Sequence, residues 1–262
     1  MVEEVTLYRA PTTVADADAI ADWLDDRVDA EVTVRDRFLS VYGPGNGDSG
    51  PEFDLAEAFA EARVLSPYER ETGNTMVGIV RYEERAIDNP ERAGGVIYDG
   101  LEVQEILHRL LPESERGLDH LHVPLLDRVV GTWGDHDGRW HKRVNVLGQP
   151  GLVSVPGLYE APAKPEQYYK EQQKHALLSG GAPPREVLEN EVEGEFLVAD
   201  DPRTTDALRG YVLQTSHYLA TGEDFCEEES CRLANPHRQP GVVAAQLRDP
   251  EFCPEHAELY RV

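Results

Sequence analysis

All three cysteines of this chain fall in one short stretch near its end, with the spacing Cys226-x4-Cys231-x21-Cys253-x2-His256. An odd number of thiols does not make a closed disulfide framework. Three thiolates and one imidazole are instead the donor set of a closed tetrahedral zinc site. The turn Cys253-Pro-Glu-His256 is short enough for both of its ends to reach one ion. The spacing therefore predicts one zinc per chain, held by Cys226, Cys231, Cys253 and His256. With four protein ligands it has no open position and serves structure. His237, in Asn235-Pro-His237, is the alternative fourth ligand. A tail of short turns with little core of its own gains its folding free energy from such an ion.

The remaining chain can carry its own core, because 262 residues at 40% apolar content are enough for one or two domains. Its charge restricts the partners. Fifty Asp and Glu against 25 Lys and Arg give a net charge of −25, a field that repels nucleic acid and anionic membranes. The acids are spread through every segment and are not collected in a tail. Such a surface suits concentrated salt, where the screening length falls to about 3 Å at 1 M and self-repulsion fades. The composition thus predicts a protein of a halophilic archaeon. Its unfolding midpoint should rise from dilute buffer to molar KCl; equal stability in the two would contradict this. No apolar run reaches membrane-span length. Met1-Val2-Glu3-Glu4 has no basic start and no apolar run after it, so the expected location is cytoplasmic.

Hydrophobic periodicity lays out the elements. Val5–Tyr8 reads as a strand. A helix opens at Thr13 with Val14, Ala17, Ile20, Leu24 and Val28 on its inner stripe, and Glu31–Val41 reads as a second strand. Residues 42–51 form a Gly- and Pro-rich loop before a helix over Phe53–Val64. Residues 76–86 and 95–98 read as short strands. Asp99, with Glu102 three residues on, caps a helix with Leu101, Ile106, Leu107 and Leu110 inside and Pro112 at its end. Leu121–Val130 and Arg139–Leu147 read as strands around a Gly134-Asp-His-Asp-Gly138 turn, followed by a strand over Gly151–Tyr159. Helices follow over Lys164–Leu178, from Pro183-Pro184, and from Asp201-Pro202 to a stop at Gly222. On the last of these, Leu208, Tyr211, Val212, Thr215 and Leu219 face inward, and His217 turns away from that stripe as a solvated or locally bonded ring. The pattern predicts an α/β (α+β) fold with a mixed β-sheet and flanking helices. It divides into an N-terminal β-α-β-α unit, residues 1–66, and a second part, 67–262, whose segment 222–262 binds zinc; no linker forces a boundary, so a single domain is the alternative.

A second cluster sits in the centre. His120 and His122 lie two apart on a strand and share a face, and His141 lies on the strand after the turn with Arg139 and Arg143. Imidazoles beside carboxylates can hold a second, open zinc or act as a general base, with Arg orienting an anionic substrate. His120, His122 and His141 are therefore the catalytic candidates. There is no phosphate loop, no G-x-G-x-x-G after a strand and no G-x-S-x-G elbow.

The tail, Gly222-x3-Cys226-x4-Cys231-Arg-Leu233, resembles the archaemetzincins, archaeal zinc peptidases with the pattern H-E-x-x-H-x-x-G-x-x-H-C-x4-C-x-M and a later C-x2-C. Longer stretches resemble an uncharacterised archaeal family grouped with the zinc metallopeptidases: Gly95-Val-Ile-Tyr-Asp-Gly100, Asp119-His-Leu-His122, Gly138-Arg-Trp-His-Lys-Arg143, Glu160-Ala-Pro-Ala-Lys-Pro165 and Phe225-Cys226. The resemblance covers most of residues 76–256 and implies a metzincin-like fold. The same alignment puts Thr215, Ser216, Leu219 and Phe225 where the peptidases carry the first His, the Glu, and the second and third His. A peptidase helix needs two imidazoles one turn apart and a carboxylate base. The structural half of the pattern is present here and the catalytic half is not. Two functions follow as expectations: a hydrolase with its metal moved to His120, His122 and His141, or a non-catalytic zinc protein that recognises a peptide or protein partner.

Overall fold

A computed structural model describes residues 2–12, 14–44, 53–90, 95–181 and 183–260. The chain runs through β1 (Glu4–Tyr8), α1 (Ala17–Asp25), β2 (Glu31–Arg35), α2 (Phe38–Tyr42), α3 (Leu55–Glu61), α4 (Val77–Asp88), β3 (Ile97–Asp99), α5 (Gly100–Leu110) and a single 3-10 turn at Glu113–Glu115. It continues through β4 (His120–Leu126), β5 (Val129–Gly134), β6 (Arg139–Arg143), β7 (Asn145–Val146), β8 (Leu152–Ser154), α6 (Val155–Glu160), α7 (Glu166–Ser179), α8 (Arg185–Glu191), α9 (Thr204–Thr221), α10 (Gln239–Leu247) and α11 (Pro254–Leu259).

Five strands pair in the order β2-β1-β4-β8-β7; all neighbours are parallel except β7, which runs antiparallel at the edge. A smaller sheet, β3-β5-β6, holds the antiparallel hairpin of β5 and β6. This is the mixed sheet with flanking helices that the periodicity predicts. The strands of residues 1–66 lie in the same sheet as β4, β8 and β7. Because α-helices cover both faces of the large sheet, alternate residues of β1 and β4 enter different cores. Val5, Leu7, Leu121 and Val123 pack with Ile20 and Leu24 of α1 and Leu208 and Val212 of α9. Tyr8 faces the other way, into a core with Phe38, Phe59, Tyr98 and Leu107.

Several boundaries differ from the sequence reading, each for a local reason. Thr13 lies outside the described residues, and α1 starts only after Asp16, whose carboxylate accepts from the Ala19 amide at 3.1 Å. Val14 is exposed, and Val28 lies past the end of the helix. The strand over Glu31–Val41 stops at Arg35, and Phe38–Tyr42 turn into a helix that buries Phe38. Residues 45–51 of the expected loop lie outside the described residues. Residues 76–86 are helical, not extended. The inner positions of α4 are Glu83 and Ile87, and a carboxylate at the centre of the inner face hides the helical period from an apolar count. Within Gly151–Tyr159 the strand ends at Ser154, which caps α6 through the Gly157 amide, with Pro156 in the first turn. Leu101 is exposed, although Asp99 caps α5 as expected, accepting from the Leu101 amide at 2.9 Å. Gly222 ends α9 in the left-handed conformation at φ 80°.

Candidate metal centre

The tail folds back on α9. The Cys226 backbone N–H donates to the Leu233 carbonyl at 3.0 Å, and Cys253 starts α11, so that His256 sits one turn on. The donor atoms of Cys226, Cys231, Cys253 and His256 all lie within 4.8 Å of one another. Cys226 and Cys253 sulfurs are 3.8 Å apart; His256 Nδ1 is 3.7 Å from Cys231 Sγ and 3.0 Å from Cys253 Sγ. A tetrahedral zinc with ordinary Zn–S and Zn–N bonds spans edges of about 3.8 Å and about 3.6 Å. The donor set is thus compatible with zinc. His237 is not part of it. Its chain position, after the turn at Asn235-Pro236, puts it in the wall of a separate cleft beside β7.

The electrostatics point the same way. Burial pushes the Cys226 thiol up to about 12, with the negative charge of Cys231 adding to it, and Cys231 is also raised by burial. A divalent cation removes that penalty and holds such thiols deprotonated. The Glu228 amide points at Cys226 Sγ from 3.3 Å, a donor placed for a thiolate. Behind His256 stands His217. It is buried and bonded locally, not solvated, because α9 is covered by the sheet and α1 on one side and by the tail on the other. Its Nδ1 meets the Tyr260 hydroxyl at 2.6 Å, and its ring crosses that of His256 at 5.4 Å. Burial and the neighbouring His256 lower the His217 pKa, so the neutral ring backs the ligand.

The central histidines separate into two groups. His120 and His122 stack at 4.1 Å on the same face of β4. His141 does not join them. β6 pairs with β5 in the smaller sheet, and His141 bonds Asp137 at 2.9 Å beside the exposed His136. A metal shared by His120, His122 and His141 is therefore not built. The pair on β4 is tied into a network assembled from four distant segments. His120 Nε2 lies 2.9 Å from Thr6 Oγ1. His122 Nε2 donates to the Glu115 carbonyl at 2.9 Å, which leaves Nδ1 to accept from the Tyr8 hydroxyl at 2.7 Å. Tyr42 donates to the Glu115 carboxylate, and Arg35 donates to both. Glu115, His120 and His122 are close enough to hold an ion, but both nitrogens of His122 are already used. The sequence carries no signal for this network beyond the pair of histidines, because Tyr8, Arg35, Tyr42 and Glu115 meet only through the parallel pairing.

Burial lowers the His122 pKa from 6.5 to about 4. The unfolded chain therefore takes up a proton on this ring near pH 6.5, and the folded protein only near 4. The stability this confers is full above 6.5 and is lost as pH falls toward 4, by up to about 3 kcal/mol. Urea midpoints measured across that window should fall more steeply for the native chain than for His122→Asn. Identical slopes would contradict the buried neutral ring.

On α9, the residues at the positions of the peptidases' first His and Glu are packed inside the protein. Thr215 packs so closely on Gly151 that a Cβ on that glycine would lie 2.7 Å from the Thr215 Cβ. Thr215 and Ser216 are both buried. Gln214, one residue earlier, instead ties the helix to its surroundings, accepting from Asn145 Nδ2 and donating to the Arg232 and Ala234 carbonyls.

A mixed α/β scaffold with a zinc-compatible Cys3His cluster is thus the class that fold and site define. A family of unknown function, DUF7001, matches residues 6–259, and the chain belongs to that family. No curated protein matches the sequence. Among solved structures, an archaemetzincin from Methanopyrus kandleri is similar at 12% identity and a TM-score of 0.45, over 98% of this chain and 93% of that one. Among the described residues no helix is long and apolar enough to cross a membrane.

Proposed function

We propose that this chain is a metallopeptidase-related protein that keeps a structural zinc at Cys226, Cys231, Cys253 and His256 and has lost the helix chemistry of hydrolysis. Its role on this reading is to recognise a peptide or protein partner, in a cytoplasm rich in salt. The supporting observation is the division of the helix and tail. Four protein donors converge on one point, which leaves no site for a metal-bound water. Thr215, Ser216, Leu219 and Phe225 occupy the positions that would carry catalysis. A cleft of about 440 Å³ lies beside the edge strand β7 and the end of α9, a place where an extended segment can dock.

The test is peptide turnover by the zinc-loaded protein in high salt. The expected result is no hydrolysis above that of the Cys226→Ser variant or of buffer. Turnover that disappears in His122→Ala would overturn the reading in favour of a hydrolase with a second metal at His120 and His122.

A further inference from the structure

Several cations of this chain form no ion pair among the described residues, and Arg143 combines that with being half-buried. It closes β6 and lines the cleft beside β7. Its Nε donates to Thr132 Oγ1 at 2.8 Å, which fixes the guanidinium against β5. Among the described residues its two terminal nitrogens have no hydrogen bond and no ion pair. The neighbouring cations are satisfied: Lys142 pairs with Glu160 at 2.6 Å, and Arg185 shares the same carboxylate. The nearest acid that acts on Arg143, Asp137, already bonds Arg139 and His141. Asp224 stands in the same cleft wall without pairing to it.

We infer that this cleft binds a carboxylate, with the terminal nitrogens of Arg143 as its anchor. A guanidinium presents two parallel donors that match a carboxylate. Arg143 is half-buried, and loss of water lowers its pKa with only Asp137 acting against it, so a bound anion would offset the rest of that desolvation. The apolar wall comes from Leu147, Pro162, Phe225 and Pro236, which suits an apolar group attached to the carboxylate. The C-terminus of a peptide with an apolar last residue has this chemistry, and so does a small free carboxylate such as citrate. The peptide source rests on the recognition role proposed above; the carboxylate site does not.

Calorimetric titration, with the side-chain Nε–H resonance of Arg143 followed by NMR, tests this on the full zinc-loaded chain. The probes are N-acetyl-Phe-Leu as free acid, the same dipeptide as its amide, and citrate. The free acid is expected to bind saturably and to move the Arg143 resonance, and the amide to bind at least about ten-fold more weakly. Arg143→Gln should lose the difference, and Arg143→Lys should keep only part of it, with zinc content unchanged in both. Citrate binding without peptide binding would uphold the carboxylate site and end the peptide reading. Equal binding of acid and amide would uphold peptide recognition and overturn the carboxylate anchor. Failure of both the free acid and citrate to move the resonance in the native chain would overturn the anchor as well, whatever the variants do.

Discussion

Removal of zinc by a strong chelator is expected to lower the Tm by roughly 10–20 °C. Metal-binding free energies of Cys-rich sites are on the order of 10 kcal/mol or more. Part of that is recovered when the metal leaves, because the thiols take up protons and the segment keeps apolar contacts. If about half is lost, a chain of this size shifts by a few degrees per kcal/mol. The loss should spread beyond the tail. Cys231, Leu233 and Phe252 belong to the core that also contains α1 and α9, and Phe252 stacks on Trp23 with ring centroids 6.5 Å apart. Loosening the tail therefore uncovers both helices. Cys231→Ser, at a fully buried position, should cost more than Cys226→Ser, which is partly exposed. Scanning calorimetry with and without chelator checks this, and a Tm unchanged within about 2 °C would contradict it.

The second large effect is expected at Glu83. This carboxylate is fully buried on α4 and receives Arg128 at 2.7 Å, Tyr98 hydroxyl at 2.9 Å and Arg63 at 3.5 Å. Arg128 in turn lies over the rings of Phe59 and Tyr98. Glu83→Ala strands a nearly buried guanidinium without its acid, and a broken buried pair costs about 3–5 kcal/mol. Chemical denaturation should show that loss, a smaller one for Glu83→Gln, and a smaller one again for Glu83→Met combined with Arg128→Met, which removes the closest pair and leaves only Arg63 charged. A cost for Glu83→Ala below about 1 kcal/mol would mean the network is not closed in solution.

These two sites also mark what was legible in the sequence. The metal cluster is local: four donors sit within 31 residues, and thiol chemistry restricts what they can do, so spacing alone brought Cys226, Cys231, Cys253 and His256 together. The ends of α5, capped by Asp99, and of α9, stopped by Gly222, follow the same logic of short-range signals. Glu83 shows the opposite case. Its helix was read as extended because the residue that belongs inside is an acid, and its partners arrive from α3's end, β3 and the loop before β5. The central histidines failed for a related reason. Periodicity placed His120 and His122 on one face correctly, but which sheet β6 joins depends on strand pairing, and that decided that His141 stands elsewhere. A one-sided stripe puts His217 on the outer face, and its burial follows because α9 is covered nearly all round. The sequence offers Arg143 only as one of two arginines beside His141 that could hold an anionic substrate; which acids reach it depends on the fold.

On the reading proposed above, one zinc, closed off by four protein donors, holds this fold together without a second ion. Native mass spectrometry of the purified chain, with parallel metal analysis, tests it most directly. The account predicts one zinc per chain, retained through dilution and lost in Cys253→Ser together with a lowered Tm. A zinc-free chain with unchanged stability, or two tightly held zinc ions of which one depends on His122, would contradict it.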